Sequence, residues 1–394
     1  MNAFFMNDFD NGLLGELIAF RRDLHRNPEL SMQEYKTSLK IMQRLETEGI
    51  PCCFIYEKLG VTALISGTHP GPTIALRADI DALPLSENTG LEFASSEANI
   101  MHACGHDIHT TVLLGIAIVL WHNRDKFAGD IRLIFQPSEE SADGSKLVIQ
   151  AGLLKGISCI VGFHCWPELP SGTVGFKTGP MMAASDTVKL VVIGKGGHAA
   201  HPNLCADPIT ATAAIITVMQ TIISRETAPN DAAVLSITRI CGGTCSNVIP
   251  SSVECEGTCR TLTPEVRKAM EGKIVRVAKN TAAAMNVQCK VTYTKGCPPL
   301  INNNELIGYA ETAVRNVLGD DAVKQLEYPS MGSEDFSFYL ESVPGIFLRL
   351  GTSNYMQNSK FGLHNPSVVF DEGAIPTGVK ALTSVAVQIL EQLS

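Results

Sequence analysis

The 394-residue sequence has no apolar run long enough to cross a membrane. Its longest, near residues 112–121 and 211–223, fall short of the roughly 18 residues a span requires. It has no cluster of Lys and Arg, and its net charge is -9. Neutralising phosphates takes concentrated positive charge, so nucleic acid is not an expected partner. Residues 1–14 are acidic and offer neither the basic nor the apolar region of an export signal. No Gly-x-Ser-x-Gly elbow supplies a serine nucleophile. Gly194-Lys-Gly-Gly197 lacks the spacing and the Lys-Ser/Thr of a phosphate loop. These absences lead to the expectation of a soluble, cytoplasmic protein with no membrane and no nucleic acid among its partners.

What is present fits a globular enzyme: 45% of residues are hydrophobic and 18% charged. A chain of this length exceeds one ordinary core, so two domains are expected. The twelve cysteines read as reduced thiols, many of them small buried hydrophobes. Cys241, Cys245, Cys255 and Cys259 could be drawn as a four-thiolate zinc site. Their Cys-x3-Cys spacing is loose, however, and residues 252–261 alternate like a strand. That alternation puts Cys255 and Cys259 on one face, where core packing is the better reading.

The densest chemistry lies in residues 101–111, Met-His-Ala-Cys-Gly-His-Asp-Ile-His-Thr-Thr. Thiolate, imidazole and carboxylate together suit a divalent transition metal. Gly105 separates Cys104 from His106 tightly enough for both side chains to converge.

Around this stretch the chain reads as alternating helices and strands. A helix over 14–25 breaks at Asn27-Pro28. Ser31 and Glu34 form a capping box for a second helix ending at Gly49. Residues 61–66, 73–78, 131–135 and 159–163 are short apolar runs, as expected of strands buried on both faces. The longer run 112–121 reads as a buried helix. Asp79, Asp81, Glu139, Glu140 and His164 fall just past the carboxyl ends of these runs, the edge where open α/β sheets bind ligands. Near residue 185 the rhythm changes to β-α-β-β-α-β through residue 293, the order of a split βαβ sandwich. After Gly296 alternation resumes, with a buried strand over 345–350 and a terminal helix after Asp371. The small domain thus looks inserted.

Several motifs now carry a resemblance. Arg77-Ala-Asp-Ile-Asp-Ala-Leu-Pro84, His102-Ala-Cys-Gly-His-Asp107 and Gln136-Pro-Ser-Glu-Glu140 resemble the aminoacylase and hippurate-hydrolase branch of the M20 metallopeptidases. Gly196-Gly-His198, Asn247-Val-Ile-Pro250, Gly257-Thr-Cys-Arg-Thr261, Gly332-Ser-Glu-Asp335 and Leu363-His364 extend the match over nearly the whole chain. The resemblance implies an α/β fold: a mixed-sheet di-metal catalytic domain over 1–184 and 296–394, with an inserted α+β, ferredoxin-like lid over 185–295 that mediates homodimerisation. It implies up to two divalent metals per chain, Zn2+ or Mn2+ foremost and Co2+ or Ni2+ as alternatives. The metal ligands would be Cys104, His106, Glu140, His164 and His364, with Glu139 as general base to a metal-activated water.

In an extended segment Glu139 and Glu140 would point to opposite sides, one to the water and one to a metal. Asp79, Asp81, Asp107 and His109 would orient ligands, Asp79 being equally readable as a strand-end cap. The resemblance makes His198 a donor to the substrate carbonyl. Arg260, with Asn247, could bind the substrate carboxylate through its bidentate fork, or Arg260 could form an ordinary surface salt bridge. His25, His69, His102, His122 and His201 read as surface or helix-end groups. The implied activity is hydrolysis of N-acyl amino acids. A dipeptidase or carboxypeptidase of the same family and a non-catalytic metal-binding protein are the alternatives.

Overall fold

A computed structural model describes residues 9–354 and 361–394. The first eight residues of the expected catalytic segment, and 355–360 within it, lie outside the described residues. The chain divides into two compact units, one of residues up to Gly179 with Ile301–Tyr328 and Asp335–Ser394, the other Pro180–Leu300 with Pro329–Glu334.

The first unit is built on an eight-stranded mixed sheet. Its order is Cys52–Tyr56, Leu59–Ser66, Ala128–Gln136, His69–Asp79, Ile157–Pro170, Gly345–Ser353, Val174–Phe176 and Val323–Gln325. The central four strands run parallel. They are the continuous apolar runs of the sequence, and helices bury them on both sides. Register sets Asp79 opposite Gln136 where those two strands stop. It sets Arg349 opposite His164, which lies within Ile157–Pro170 rather than just past a strand end as expected, because that strand runs on to Pro170. The expected buried helix runs His106–His122, six residues earlier than its apolar stretch, and every residue from His106 to Leu120 is buried. Gly105 precedes it at φ +86°, where a Cβ would come within 2.9 Å of the Cys165 Cβ. Only glycine fits that turn.

The expected capping box does not form. Glu34 is the N-cap of the helix Tyr35–Thr47 but makes no side-chain cap hydrogen bond. Ser31 Oγ instead donates to Asp81 Oδ2 at 2.7 Å, and Glu34 Oε1 accepts the Ser138 N–H at 2.7 Å. Tertiary partners have claimed both side chains.

The second unit holds a four-stranded antiparallel sheet in the order Ala233–Cys241, Ser252–Thr261, Ala184–Ile193 and Gln288–Lys295. With helices Pro208–Glu226 and Pro264–Ala284 this is the split βαβ sandwich. Asp207 and Thr263 cap the two helices through their side chains. Cys255 and Cys259 pack in this unit's core, while Cys241 and Cys245 are exposed. Among the described residues no helix is long and apolar enough to cross a membrane.

Candidate metal centre and active site

The site assembles where the strands His69–Asp79 and Ala128–Gln136 stop, beside His164 within Ile157–Pro170. Asp81 anchors it: Oδ1 accepts from His106 Nδ1 at 3.1 Å, and Oδ2 accepts from Ser31 Oγ and from the Glu140 N–H at 3.1 Å. With Nδ1 so engaged, His106 Nε2 is left as a ligand atom. His164 is fixed likewise, its Nδ1 donating to the Cys165 carbonyl at 2.7 Å. Its Nε2 lies 3.2 Å from Cys104 Sγ. His364 Nε2 lies 3.3 Å from the same sulfur and 3.4 Å from Glu140 Oε1.

Two ligand groups therefore share one thiol: Cys104, His106 and His164 on one side, and Cys104, Glu140 and His364 on the other. Glu139 joins His106 and Glu140 in a third group, and within each group the ligand atoms lie inside 4.8 Å of one another. The expected extended geometry of the glutamate pair is not found. The Ala142 N–H closes a turn on the Glu139 carbonyl at 2.8 Å, and Ser138 before it sits at φ +60°. The Asp335 N–H donates to Glu139 Oε1 at 3.4 Å.

Asp79 and His109 are held away from ligand duty. His109 Nδ1 donates to Asp79 Oδ1 at 2.5 Å, and its Nε2 accepts the Cys165 N–H at 2.7 Å. Both ring nitrogens are used, so His109 has no lone pair to offer a metal. Arg77 is fully buried and donates to Asp79, Gln136 and Asp335. Burial alone would raise the Asp79 carboxyl, but His106, His109 and Arg77 outweigh it and hold it well below the usual range.

The donor set fits divalent cations. His106 Nε2 and Glu140 Oε1 are buried without any hydrogen-bond partner, 3.9 Å apart. Burial, then Glu140, Glu139 and Asp79, pushes the Cys104 thiol far up. Burial lowers His106, yet Asp79, Asp81 and Glu140 carry it to about 10, so the surroundings of its ring favour positive charge. A cation reverses both effects.

Two histidines expected at the surface are core groups. His25 does end the helix Asn11–Arg26, but it is buried, with Nδ1 2.8 Å from Asp107 Oδ2 and Nε2 3.3 Å from Glu87 Oε1. Arg21 Nε lies 2.7 Å from the same Asp107 oxygen. This ion network anchors the residue following His106, and nothing local in the sequence signals it. His102 is buried with neither ring nitrogen partnered, and burial pushes it down to about 4. His69 and His201 are exposed, and His122 faces solvent beside Glu48.

In the second unit His198 and Asn247 are neighbours. The Ala199 N–H donates to the Asn247 carbonyl at 3.0 Å, and His198 pairs with Val248 in a short ladder. His198 Nδ1 accepts the Ala200 N–H at 3.1 Å, which leaves the ring proton on Nε2. Arg260 donates to the hydroxyls of Thr258 and Ser333, each at 3.1 Å, rather than to a carboxylate.

A mixed sheet with candidate nitrogen, sulfur and oxygen ligand groups beside its central strands fits a metal-dependent enzyme, and the likeness to known proteins makes it a hydrolase acting on amide bonds. Residues 75–388 match the peptidase family M20/M25/M40, and the chain belongs to that family. An N-acetylcysteine deacetylase of Bacillus subtilis is 42% identical over 98% of this chain and 99% of its own. An IAA-amino acid hydrolase of Arabidopsis thaliana is 37% identical over 95% of this chain and 85% of its own. The crystal structure of the Bacillus subtilis YXEP protein, a dinuclear metal-binding peptidase of the M20 family, superposes with a TM-score of 0.86. It is 39% identical, covering 97% of this chain and 99% of its own. The chain is thus a divalent-metal amidohydrolase of the M20 family.

Proposed function

We propose that the protein cleaves the amide bond of N-acyl amino acids, with Cys104, His106, Glu140, His164 and His364 holding up to two divalent ions. The observation that carries the reading is the single thiol shared by two ligand groups with Glu139 beside them. Zn2+ or Mn2+ suits this donor set, and Co2+ or Ni2+ can substitute. Bound there, the ions supply Lewis acidity at the scissile carbonyl and lower the pKa of water.

Glu139 takes a proton from the attacking water and returns it to the amide nitrogen as the C–N bond breaks. His198, with its proton on Nε2, donates to the carbonyl oxygen as charge develops there. We assign this donation to the partner subunit of a twofold homodimer formed through the unit spanning 185–295. Arg260, with Asn247, holds the α-carboxylate. The names of two relatives, a deacetylase of N-acetylcysteine and a hydrolase of IAA-amino acids, support the substrate class. Twelve free thiols suit a reducing compartment, the cytoplasm.

The test is a panel of N-acetyl, N-benzoyl and longer N-acyl amino acids, their carboxamides, and dipeptides. Each is assayed after chelation and after return of Zn2+, Mn2+, Co2+ or Ni2+. Metal-restored cleavage of N-acyl amino acids, weaker on their carboxamides, is expected. Cleavage of dipeptides alone would make the protein a dipeptidase. Chelator-resistant turnover would overturn the reading.

A further inference from the structure

Three arginines are buried among the described residues, and two have obvious partners: Arg21 meets Asp107, and Arg77 meets Asp79 and Asp335. The third, Arg349, does not. It lies on the strand Gly345–Ser353, opposite His164 in the parallel ladder, with 6% of its surface exposed. Its Nε and Nη2 are buried with no hydrogen-bond partner. Those two atoms form the edge of the guanidinium that grips a carboxylate side-on with two parallel bonds.

The guanidinium is held in place by stacking. Its carbon lies 3.7 Å from the centroid of the Trp166 ring. The indole N–H donates to Glu168 at 3.0 Å, fixing the platform. The same ring lies 6.3 Å from the His164 imidazole, and Arg349 is the residue opposite His164 in the strand register. Burial pulls Arg349 down to about 10 against the pull of Glu168, which still leaves it charged at neutral pH. A buried charge whose donors go unpaired is strongly disfavoured unless something pairs with it in use.

We propose that Arg349, stacked on Trp166 beside His164, is an anion subsite for a second carboxylate of the substrate, carried either by the acyl group or by the amino-acid side chain. The proposal rests on the N-acyl amino acid reading and narrows it to dicarboxylates.

The holoenzyme, Arg349→Gln and Arg349→Lys are compared on three substrates: N-acetylalanine, N-acetylglutamate and N-succinylalanine. In Arg349→Gln, kcat/KM should fall about 10- to 100-fold on one of the two dicarboxylates, the range of a charge-assisted hydrogen bond. N-acetylalanine should change less than about twofold on the same reasoning. The dicarboxylate that loses activity identifies which end of the substrate carries the group. Arg349→Lys keeps the charge without the fork and should show a smaller selective loss, which decides the matter if the glutamine variant folds poorly. Equal losses on all three substrates, or none, overturn the subsite.

Glutarate binding, measured by calorimetry, separates this proposal from the one beneath it. Weaker glutarate binding in Arg349→Gln, with no turnover by any form, would leave the subsite standing and remove the N-acyl amino acid reading. Normal hydrolysis of N-acetylalanine with unchanged glutarate binding and no selective kinetic loss would do the opposite.

Discussion

Glu34 offers a sharp test of how the turn carrying Glu139 and Glu140 is supported. Its carboxyl is fully buried; one oxygen accepts the Ser138 N–H at 2.7 Å and the other has no partner. Burial, and then the neighbouring Asp81, pushes it up to about 8 from an ordinary 4.5. Below the lower value both the folded and the unfolded chain hold the proton, and the group's contribution is fully present. As pH rises from there, the unfolded chain releases the proton while the fold retains it. Stability then falls by about 1.36 kcal/mol per pH unit until the folded group ionises near 8. Across that window the loss sums to roughly 4–5 kcal/mol, an order-of-magnitude figure.

Glu34→Gln keeps an acceptor for Ser138 but cannot ionise. The two proteins should therefore be similarly stable at pH 5, and at pH 8.5 the variant should be the more stable by several kcal/mol. Denaturant unfolding of chelator-treated protein measures this without the pH dependence of bound metal. Both tryptophans, Trp121 and Trp166, belong to the first unit, so their fluorescence reports that unit alone. Wild-type and variant stabilities running parallel from pH 5 to 8.5 would refute the reasoning.

Glu139→Gln should retain metal while kcat falls on the order of 10²–10⁴-fold, whereas Glu140→Gln should lose metal first; metal analysis beside steady-state kinetics checks both, and near-normal turnover in Glu139→Gln removes the assigned role. Asp81→Asn weakens the acceptor for His106 Nδ1, so metal affinity should fall about 10- to 100-fold in a competitive chelator titration. Unchanged affinity would mean that Asp81 does not orient the ligand. Mixing Glu139→Ala and His198→Ala homodimers under verified subunit exchange should restore about a quarter of wild-type activity if His198 acts across the twofold axis. Recovery at background level would place it within its own chain.

The apolar strands were readable because both faces of a parallel sheet are buried and no alternation hides them. The placement of Asp79 and Asp81 at a strand end followed from those runs, whereas His164, expected just past one, lies inside Ile157–Pro170 because that strand continues through Cys165-Trp-Pro-Glu-Leu-Pro170. The helix start did not follow either. His106, Asp107 and His109 look like loop residues, yet the helix Asn11–Arg26 and the strand end at Asp79–Asp81 supply partners for all three side chains. Ser31 and Glu34 have the spacing of a capping box, and no local signal warns that Asp81 and Ser138 will take them. His25 sits where a helix-end histidine usually meets solvent, but Asp107 and Glu87 enclose it. The strand Cys52–Tyr56 is apolar throughout but only five residues long, too short to show a period. Ser31, Glu34 and His25 are polar residues satisfied at long range, whereas His102 is buried with neither ring nitrogen partnered.

Backbone strain and unmet hydrogen bonds meet at the candidate ligands. Ser138 and His364 both hold positive φ without being glycine, at +60° and +63°. Such backbone persists only where the surroundings over-determine it. Glu34 and the Ala103 carbonyl, which accepts the His364 N–H at 3.0 Å, do so here. Around them Asp79 is engaged by Arg77 and His109, His109 uses both nitrogens, and Asp81 uses both oxygens. Within this shell the buried atoms left without a hydrogen bond include His106 Nε2 and Glu140 Oε1. Unlike Glu34 Oε2, Asp107 Oδ1 and the His102 nitrogens, which are also bare, these two atoms lie together, 3.9 Å apart, among thiol, imidazole and carboxylate groups able to hold a metal ion. Those unmet hydrogen bonds are therefore the part of the arrangement that a cation explains. They also say why substitutions at Ser31, Glu34 or Asp81, none of them an assigned ligand, should be felt first in the geometry of the ligands themselves.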